Sequence, residues 1–236
     1  MLQKAFWTFF RLIRIILLSD YVAYVPFILL SGVIMMKFVD RSYVFYTPWV
    51  IFLIFIILIF KTFPEKNWKF LFILFLIGFL GFFIEVLGVE TQIIFGTYYY
   101  GDVLGIKLFN VPLILGINWI IVAWGALSLA YHVLKNLGFE FSSITSKLFL
   151  VFISAVFAVI FDIVLEPVAI DLGFWYWNED TVPLQNYIAW FLITFFFNIL
   201  IIFSAKNEFN KTLSPTAAYI FVYFGIFFLI LNILKI

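Results

Sequence analysis

Four carboxylic acids lie at the ends of two long apolar segments. Glu85 and Glu90 close one segment, and Asp162 and Glu166 close the other. An acidic side chain in the middle of a membrane-spanning helix costs roughly 2.5–3.5 kcal/mol on insertion scales. Because the chain has only 13 acidic residues, their position points to acid–base chemistry or ion transfer. A plain location at the membrane interface is the alternative.

The composition assigns the chain to the membrane. Its 236 residues are 66% hydrophobic and its mean hydropathy is +1.19, so we expect one integral membrane domain over residues 1–236. The chain has no cysteine, which excludes disulfides, thiol catalysis and Cys-ligated iron–sulfur clusters. A net charge of +1 indicates no nucleic-acid partner.

The elements that must position the acids are predicted to be helices. About 20 consecutive apolar residues cross the hydrocarbon core of a bilayer, and the chain contains seven such runs, the first of them short. They cover residues 21–36, 43–60, 69–89, 112–134, 147–166, 186–204 and 215–234. Residues 3–19 are typical of an amphipathic helix that lies in the membrane interface. The sequence therefore predicts an all-α, polytopic membrane bundle.

Basic residues predict the orientation of this bundle. Ten of the 14 lysines and arginines fall in the N-terminal segment and in the loops 61–69, 135–147 and 205–214. The positive-inside rule then places the N-terminus in the cytoplasm. The loops over residues 90–111 and 167–185 share the opposite face.

The same arrangement places the acids at one depth. Glu85 and Asp162 each lie about 25 Å along their helices at 1.5 Å per residue. Asp162 and Glu166 are four residues apart and share a helical face, and Pro167 is expected to end that helix. The sequence predicts that the acids converge at one end of the bundle.

The two segments that follow the acids resemble each other. Residues 88–112 combine four glycines with three adjacent tyrosines, and residues 171–187 combine a glycine with an aromatic cluster. Each segment ends in a Val-Pro pair followed by an asparagine and a tryptophan: Val111-Pro112 with Asn118 and Trp119, and Val182-Pro183 with Asn186 and Trp190. A weak internal repeat is typical of both transporters and membrane enzymes, and interfacial aromatic residues also occur as plain membrane belts.

Three function classes can be compared at this point. A retinal photoreceptor needs a lysine inside a span, and the last span has none before Lys235. A diphosphate prenyltransferase needs more carboxylates and several cations, whereas Lys107 is the one basic residue in the two acid-side loops. A small proton-coupled transporter stays open, although the inner halves of the third and fifth spans, residues 70–75 and 148–152, are entirely apolar.

Two motifs over residues 85–190 resemble the carotenoid biosynthesis protein family, whose members include carotenoid 1,2-hydratases acting on γ-carotene or bisanhydrobacterioruberin. The first is Glu85-x-x-Gly88-Val89-x-Thr91 with Phe95-Gly96-x-Tyr98-x-Tyr100-Gly101, Val111-Pro112 and Asn118-Trp119. The second is Phe161-Asp162-x-x-x-Glu166-Pro167 with Phe174-Trp175-x-Trp177 and Pro183-x-x-Asn186. Gln92 and Glu166 depart from the family pattern, in which a glycine and often an aspartate occupy these positions.

The resemblance implies an enzyme that adds water across the terminal C1=C2 bond of an acyclic or monocyclic carotenoid. A neutral carboxylic acid, favoured by burial, would protonate the alkene. Aromatic faces, each worth about 2 kcal/mol when desolvated, would stabilise the carbocation, and a second carboxylate would activate water. A cyclase that quenches the same cation with an internal alkene is the alternative. No metal or other cofactor is expected.

The resemblance also gives the expected residues and partners. Asp162 or Glu166 would be the acid, and Glu85 would position or deprotonate the water, with these roles reversible. The expected catalytic set is Glu85, Asp162, Glu166 and Glu90, and the expected substrate-binding set is Thr91, Tyr98, Tyr100, Asn118, Trp119, Trp175, Trp177 and Asn186. The partners would be the carotenoid polyene, membrane lipid and other carotenoid biosynthesis enzymes.

Overall fold

A computed structural model describes residues 21–62, 67–179, 181–205 and 212–235 of the protein. The predicted interfacial helix over residues 3–19 lies outside these ranges. Many of the basic residues that set the orientation, among them Lys66, Lys206 and Lys211, also lie outside them. The cytoplasmic location of the N-terminus therefore stays a prediction.

The described residues form the predicted bundle of helices. The seven α-helices are α1 (Val25–Phe38), α2 (Thr47–Thr62), α3 (Trp68–Thr91), α4 (Ile114–Asn136), α5 (Ile144–Asp171), α6 (Leu184–Ala205) and α7 (Pro215–Leu234). Within the described ranges, α2 together with the 3₁₀ helix before it (Arg41–Thr62) and each of α3 to α7 are long and apolar enough to cross a membrane, and the helix at residues 22–38 is shorter. The all-α prediction is confirmed, and the chain is an integral membrane protein.

Helix α4 forms the centre of the bundle. Of its most apolar stretch 78% is buried inside the protein, against 28% to 44% for the other five long helices. Small residues allow this close packing: a Cβ atom on Gly116 would lie 2.7 Å from the backbone oxygen of Gly78 on α3. Ala123, Ala126 and Ala130 are likewise fully buried. Side chains on α4 are therefore fixed by protein contacts rather than by lipid.

Helix α5 is longer than predicted. Pro167 lies inside it, and the helix continues to Asp171, so the expectation that Pro167 ends the helix is wrong. Proline removes one N–H donor but leaves the later turns free to close. The backbone N–H of Leu172 donates to the oxygen of Val168 at 2.8 Å, and that of Phe174 donates to the oxygen of Ala169 at 2.8 Å.

The two loops beyond the acids meet in a short antiparallel sheet. Strand β1 (Tyr98–Tyr100) pairs with β4 (Trp175–Trp177), with Tyr98 opposite Trp177 and Tyr100 opposite Trp175. A second pair joins β2 (Lys107–Leu108) to β3 (Val111–Pro112). The pairing of β1 with β4 confirms that the two loops share one face of the bundle.

Alternation along the strands decides which rings face the protein. Successive side chains on a strand point to opposite faces. Tyr98, Tyr100 and Trp175 are buried, whereas Tyr99 and Tyr176 are exposed and pack on each other with ring centroids 5.3 Å apart. One face of the sheet therefore covers the end of the bundle.

Replacing Gly101 with alanine should disturb this sheet. The added Cβ atom would lie 2.1 Å from the backbone oxygen of Gly173, and the N–H of Gly101 donates to the oxygen of Phe174. We expect Gly101→Ala to lower the free energy of unfolding by about 1–3 kcal/mol, as overpacking does. Thermal unfolding of the purified protein in detergent measures the change.

Gly32→Ala is the matched control, because a Cβ atom on Gly32 would meet nothing within 4 Å. Equal melting temperatures for the two variants would contradict this account of the β1–β4 contact.

Candidate functional site

Glu85 is a buried carboxylate that accepts three hydrogen bonds. It lies near the end of α3 with 6% of its surface exposed. The hydroxyls of Tyr98 and Tyr100 each donate to its Oε2 at 2.7 Å, and the indole N–H of Trp119 donates to its Oε1 at 2.9 Å. Both carboxylate oxygens are thus engaged, and the group ties α3 to α4 and to β1.

The strand explains why two tyrosines reach the same oxygen. Tyr98 and Tyr100 are two residues apart, so their rings leave the same face of β1. Gly88 on α3 gives space to Phe95 and Tyr98, since a Cβ atom there would lie 2.6 Å from the Phe95 ring and 3.0 Å from the Tyr98 hydroxyl oxygen. Burial and the neighbouring charge of Glu85 raise the pKa of both hydroxyls above their usual value. The two tyrosines therefore remain hydrogen-bond donors at physiological pH.

Glu166 is held in the same manner by the other loop. It lies on α5 and is 2% exposed. The indole N–H groups of Trp175 and Trp177 on β4 donate to its Oε2 at 3.0 and 2.9 Å. Its Oε1 accepts a longer bond, 3.3 Å, from the amide of Asn186 on α6. This Oε1 is the less firmly bonded of its two oxygens.

Asp162 lies one helical turn before Glu166 and is fully buried. The Asn186 amide donates to its Oδ2 at 2.7 Å, so one amide group joins the two acids. Its Oδ1 has no hydrogen-bond partner among the described residues. Asp162 is therefore the least satisfied of the three carboxyl groups.

The two halves of the site have the same plan. In each half, a glutamate near the end of a helix accepts hydrogen bonds from two aromatic side chains on the strand that follows it. The central helices bring the halves together, because the rings of Trp119 on α4 and Trp190 on α6 pack with centroids 4.7 Å apart. The repeat that the sequence suggests thus corresponds to a shared arrangement around one centre.

A small cavity lies between the halves. Its volume is about 30 Å³, which is room for about one or two water molecules. Glu85 and Glu166 both line it, and Asp162 does not. The other lining residues are Phe95, Tyr98, Tyr100, Leu115, Asn118, Trp119, Trp175, Trp177, Asn186 and Trp190.

The electrostatic character of the site favours a positive charge. Every hydrogen bond described above for the three acids comes from a neutral tyrosine, tryptophan or asparagine group. The one salt bridge in the described parts of the chain, between Lys107 and Asp102 at 2.7 Å, lies in the loop between β1 and β2. Lys107 also donates to the backbone oxygen of Tyr100 at 2.9 Å, but it makes no hydrogen bond to the three acids. Carboxyl groups that bond only neutral donors, beside aromatic faces, suit a carbocation.

No metal centre is formed by these residues. Within the described ranges no three His, Asp or Glu side chains are grouped so that they could hold a metal ion.

Most of the residues singled out from the sequence lie together here. The cavity and the acid cluster contain Glu85, Asp162, Glu166, Tyr98, Tyr100, Asn118, Trp119, Trp175, Trp177 and Asn186.

Glu90 and Thr91 lie outside the cluster. Glu90 is exposed, because five residues at 100° each turn its side chain about 140° away from that of Glu85. The Thr91 hydroxyl donates to the oxygen of Leu87 and accepts from the N–H of Ile93, so it closes the end of α3.

Three lining residues were missing from the predicted set: Phe95, Leu115 and Trp190. Trp190 had a signal in the sequence, since it follows Asn186 by four residues and so shares its face of α6. Leu115 is one apolar residue among many in its span, and its spacing carries no signal.

Tyr100 is buried and Tyr99 is exposed on β1, so loss of the hydroxyl should have different effects at the two positions. Tyr100→Phe removes a donor from a buried carboxylate, which should lower the free energy of unfolding by about 1.5–3 kcal/mol. Tyr99→Phe changes an exposed ring on the same strand and should have little effect. Thermal unfolding of both variants measures the difference, and an equal loss in both would contradict the bonding described for Glu85.

Comparison with known proteins identifies the family of the chain. A search of curated proteins and one of solved structures gave no match. The sequence profile of the carotenoid biosynthesis protein family matches residues 44–236, which include both halves of the site. The chain belongs to the carotenoid biosynthesis protein family and has a role in that pathway.

Proposed function

We propose that the protein is a carotenoid hydratase, which adds water across the terminal C1=C2 bond of an acyclic or monocyclic carotenoid. The observation that carries the proposal is the pair of buried glutamates, Glu85 and Glu166, which both line a cavity of water size. Hydration of an isolated alkene needs one acid, one base and a site that tolerates a cation. The membrane location suits a substrate that dissolves in lipid.

Glu166 is the proton donor in this mechanism. Its Oε1 accepts one long hydrogen bond and belongs to a residue that lines the cavity. The proton moves from this carboxyl to the less substituted alkene carbon, so that the π bond breaks, a C–H bond forms and a tertiary carbocation remains. Asp162 lies behind Glu166, shares the Asn186 amide with it, and acts as the proton store.

Glu85 completes the addition. The oxygen of a water molecule in the cavity attacks the tertiary carbon, a C–O bond forms, and the extra proton of that water passes to the Glu85 carboxylate. Transfer of this proton back to Glu166 through Asp162 restores the starting state, so that the reaction consumes one alkene and one water and yields one alcohol. Trp119, Trp175 and Trp177 stabilise the cation through their ring faces.

The substrate must displace side chains to enter. The cavity of about 30 Å³ holds water but not the branched end of a polyene. Trp177 and Asn118 are half-buried, whereas the other residues that line the cavity are buried. An entering chain would therefore meet these two side chains first. A cyclase would need still more room, because the chain end folds back to form a ring.

Pigment analysis tests the proposal. Expressed in a host that makes acyclic or monocyclic carotenoids, the wild-type protein should produce pigments heavier by one water. Glu166→Gln and Glu85→Gln should each lower conversion about a hundredfold or more, the usual contribution of a general acid or base, with unchanged protein in the membrane. Asp162→Asn should also accumulate the unhydrated pigment.

Glu90→Gln is the matched control, since Glu90 is an exposed acid at the end of the same helix as Glu85, and it should convert like the wild type. Full conversion by Glu166→Gln and Glu85→Gln would refute the proposed roles. A ring-containing product of unchanged mass would instead identify a cyclase.

A further inference from the structure

Polar side chains continue from the acid cluster into the middle of the bundle, along the contact between α5 and α6. We call Ser154, Asp162, Thr194 and Asn198 the polar seam. Ser154 and Asp162 are eight residues apart on α5, and Thr194 and Asn198 are eight and twelve residues after Asn186 on α6. At 100° per residue, Ser154 and Asp162 lie about 80° apart around α5, and Thr194 and Asn198 lie about 40° apart around α6, so each pair is on one side of its helix.

Two hydrogen bonds fix the register of the seam. At the acid end, Asn186 donates to Asp162 at 2.7 Å. At the other end, the amide of Asn198 donates to the Ser154 hydroxyl at 2.8 Å. The two ends are about 12 Å apart along α5 at 1.5 Å per residue. Thr194 lies between them on α6, one turn from Asn198.

Three oxygen atoms of the seam lack a partner within the described parts of the chain: Asp162 Oδ1, Thr194 Oγ1 and Asn198 Oδ1. All three residues are fully buried. About nine in ten buried polar groups in proteins have a hydrogen-bond partner, and an unsatisfied one costs about 1–3 kcal/mol. Three such atoms along one helix contact indicate a polar ligand.

The packing next to Thr194 is consistent with a small ligand. Ala158 lies midway between Ser154 and Asp162 on α5 and is fully buried. Counted one turn from the Ser154–Asn198 bond, Ala158 on α5 comes level with Thr194 on α6. Its side chain is a single methyl group, so α5 has a small residue at the level of the unpartnered hydroxyl.

The seam is closed at its far end. One turn beyond Ser154 and Asn198 come Leu150 and Ile202, and both are buried apolar residues. The polar path therefore leads from the acid cluster to the middle of the bundle and stops. This geometry does not suit an ion path across the membrane, but it suits an internal site that serves the cluster.

We propose that the polar seam binds internal water, hydrogen-bonded to Thr194, Asn198 and Asp162 Oδ1, and that this water positions Asp162 to exchange its proton with Glu166. Water matches the seam because it donates to the two unpartnered carbonyl-type oxygens and both donates to and accepts from a hydroxyl. The role toward Asp162 rests on the proposed hydratase function, whereas the binding of water does not.

A high-resolution structure of the full chain in a lipid nanodisc tests the binding of water. The seam predicts ordered water within hydrogen-bond distance of Thr194 Oγ1 and Asn198 Oδ1 in the wild type, and its loss in Thr194→Val, which has nearly the same shape. A dry seam, in a map that shows ordered water in the cavity beside Glu85, would overturn the proposal.

Kinetics with the same variants test the role of that water. Thr194→Val should slow hydration about fivefold, the effect of one lost hydrogen bond, and should increase the solvent deuterium isotope effect because proton transfer becomes slower. Thr194→Ser keeps the hydroxyl and should restore both values. An unchanged isotope effect in Thr194→Val would overturn the positioning role.

Ser128→Ala is the matched control for these measurements. Ser128 is also fully buried with an unpartnered hydroxyl, but nine residues separate it from Trp119, which places it on the opposite face of α4. If Ser128→Ala matched Thr194→Val in rate and isotope effect, the seam would have no special role. A wild type without hydration activity would refute the hydratase function and leave the water density as the test of the seam.

Discussion

Burial of the Glu85 carboxylate is the interaction on which the rest of the site depends. A carboxylate inside a membrane bundle is costly unless its oxygens are hydrogen-bonded, and Glu85 obtains its three donors from β1 and α4. None of these donors lies on α3. The acid can therefore be buried only if the loop after α3 folds back over the end of the bundle and α4 presents Trp119 toward it.

The second half of the site follows from the same requirement. Glu166 obtains its indole donors from β4, so the loop after α5 must also fold back, and the two loops pair as antiparallel strands. The pairing places four donor rings on one face of the sheet, above the two glutamates. The hydrogen bonds to the two glutamates and the pairing of β1 with β4 therefore stabilise each other.

Neutral donors give this arrangement its chemical character. A lysine or arginine beside the glutamates would form an ion pair and hold both acids ionised. Tyrosine, tryptophan and asparagine satisfy the oxygens without adding a charge, with ring faces nearby. Under the proposed hydratase function, such a site would stabilise the positive charge that forms when the alkene is protonated.

Much of this could be predicted from the sequence. The apolar runs predict the helices, and their direction places Glu85, Asp162 and Glu166 at one end, because depth depends only on residue count. The prediction that Glu90 belongs to the site was wrong. Glu90 shares the end of α3 with Glu85, but its rotation around the helix axis, which also follows from residue count, turns it away. The register of β1 against β4 depends on contacts between segments about 75 residues apart along the chain, which local patterns do not encode.

Isotope labelling of the product tests the central claim most directly. Purified protein is supplied with an acyclic carotenoid in deuterated water that also carries heavy oxygen. The account predicts one heavy oxygen on the tertiary carbon and one deuterium on the adjacent carbon, both absent with Glu166→Gln. A product that carries oxygen from molecular oxygen, or that gains deuterium but no oxygen, would contradict it.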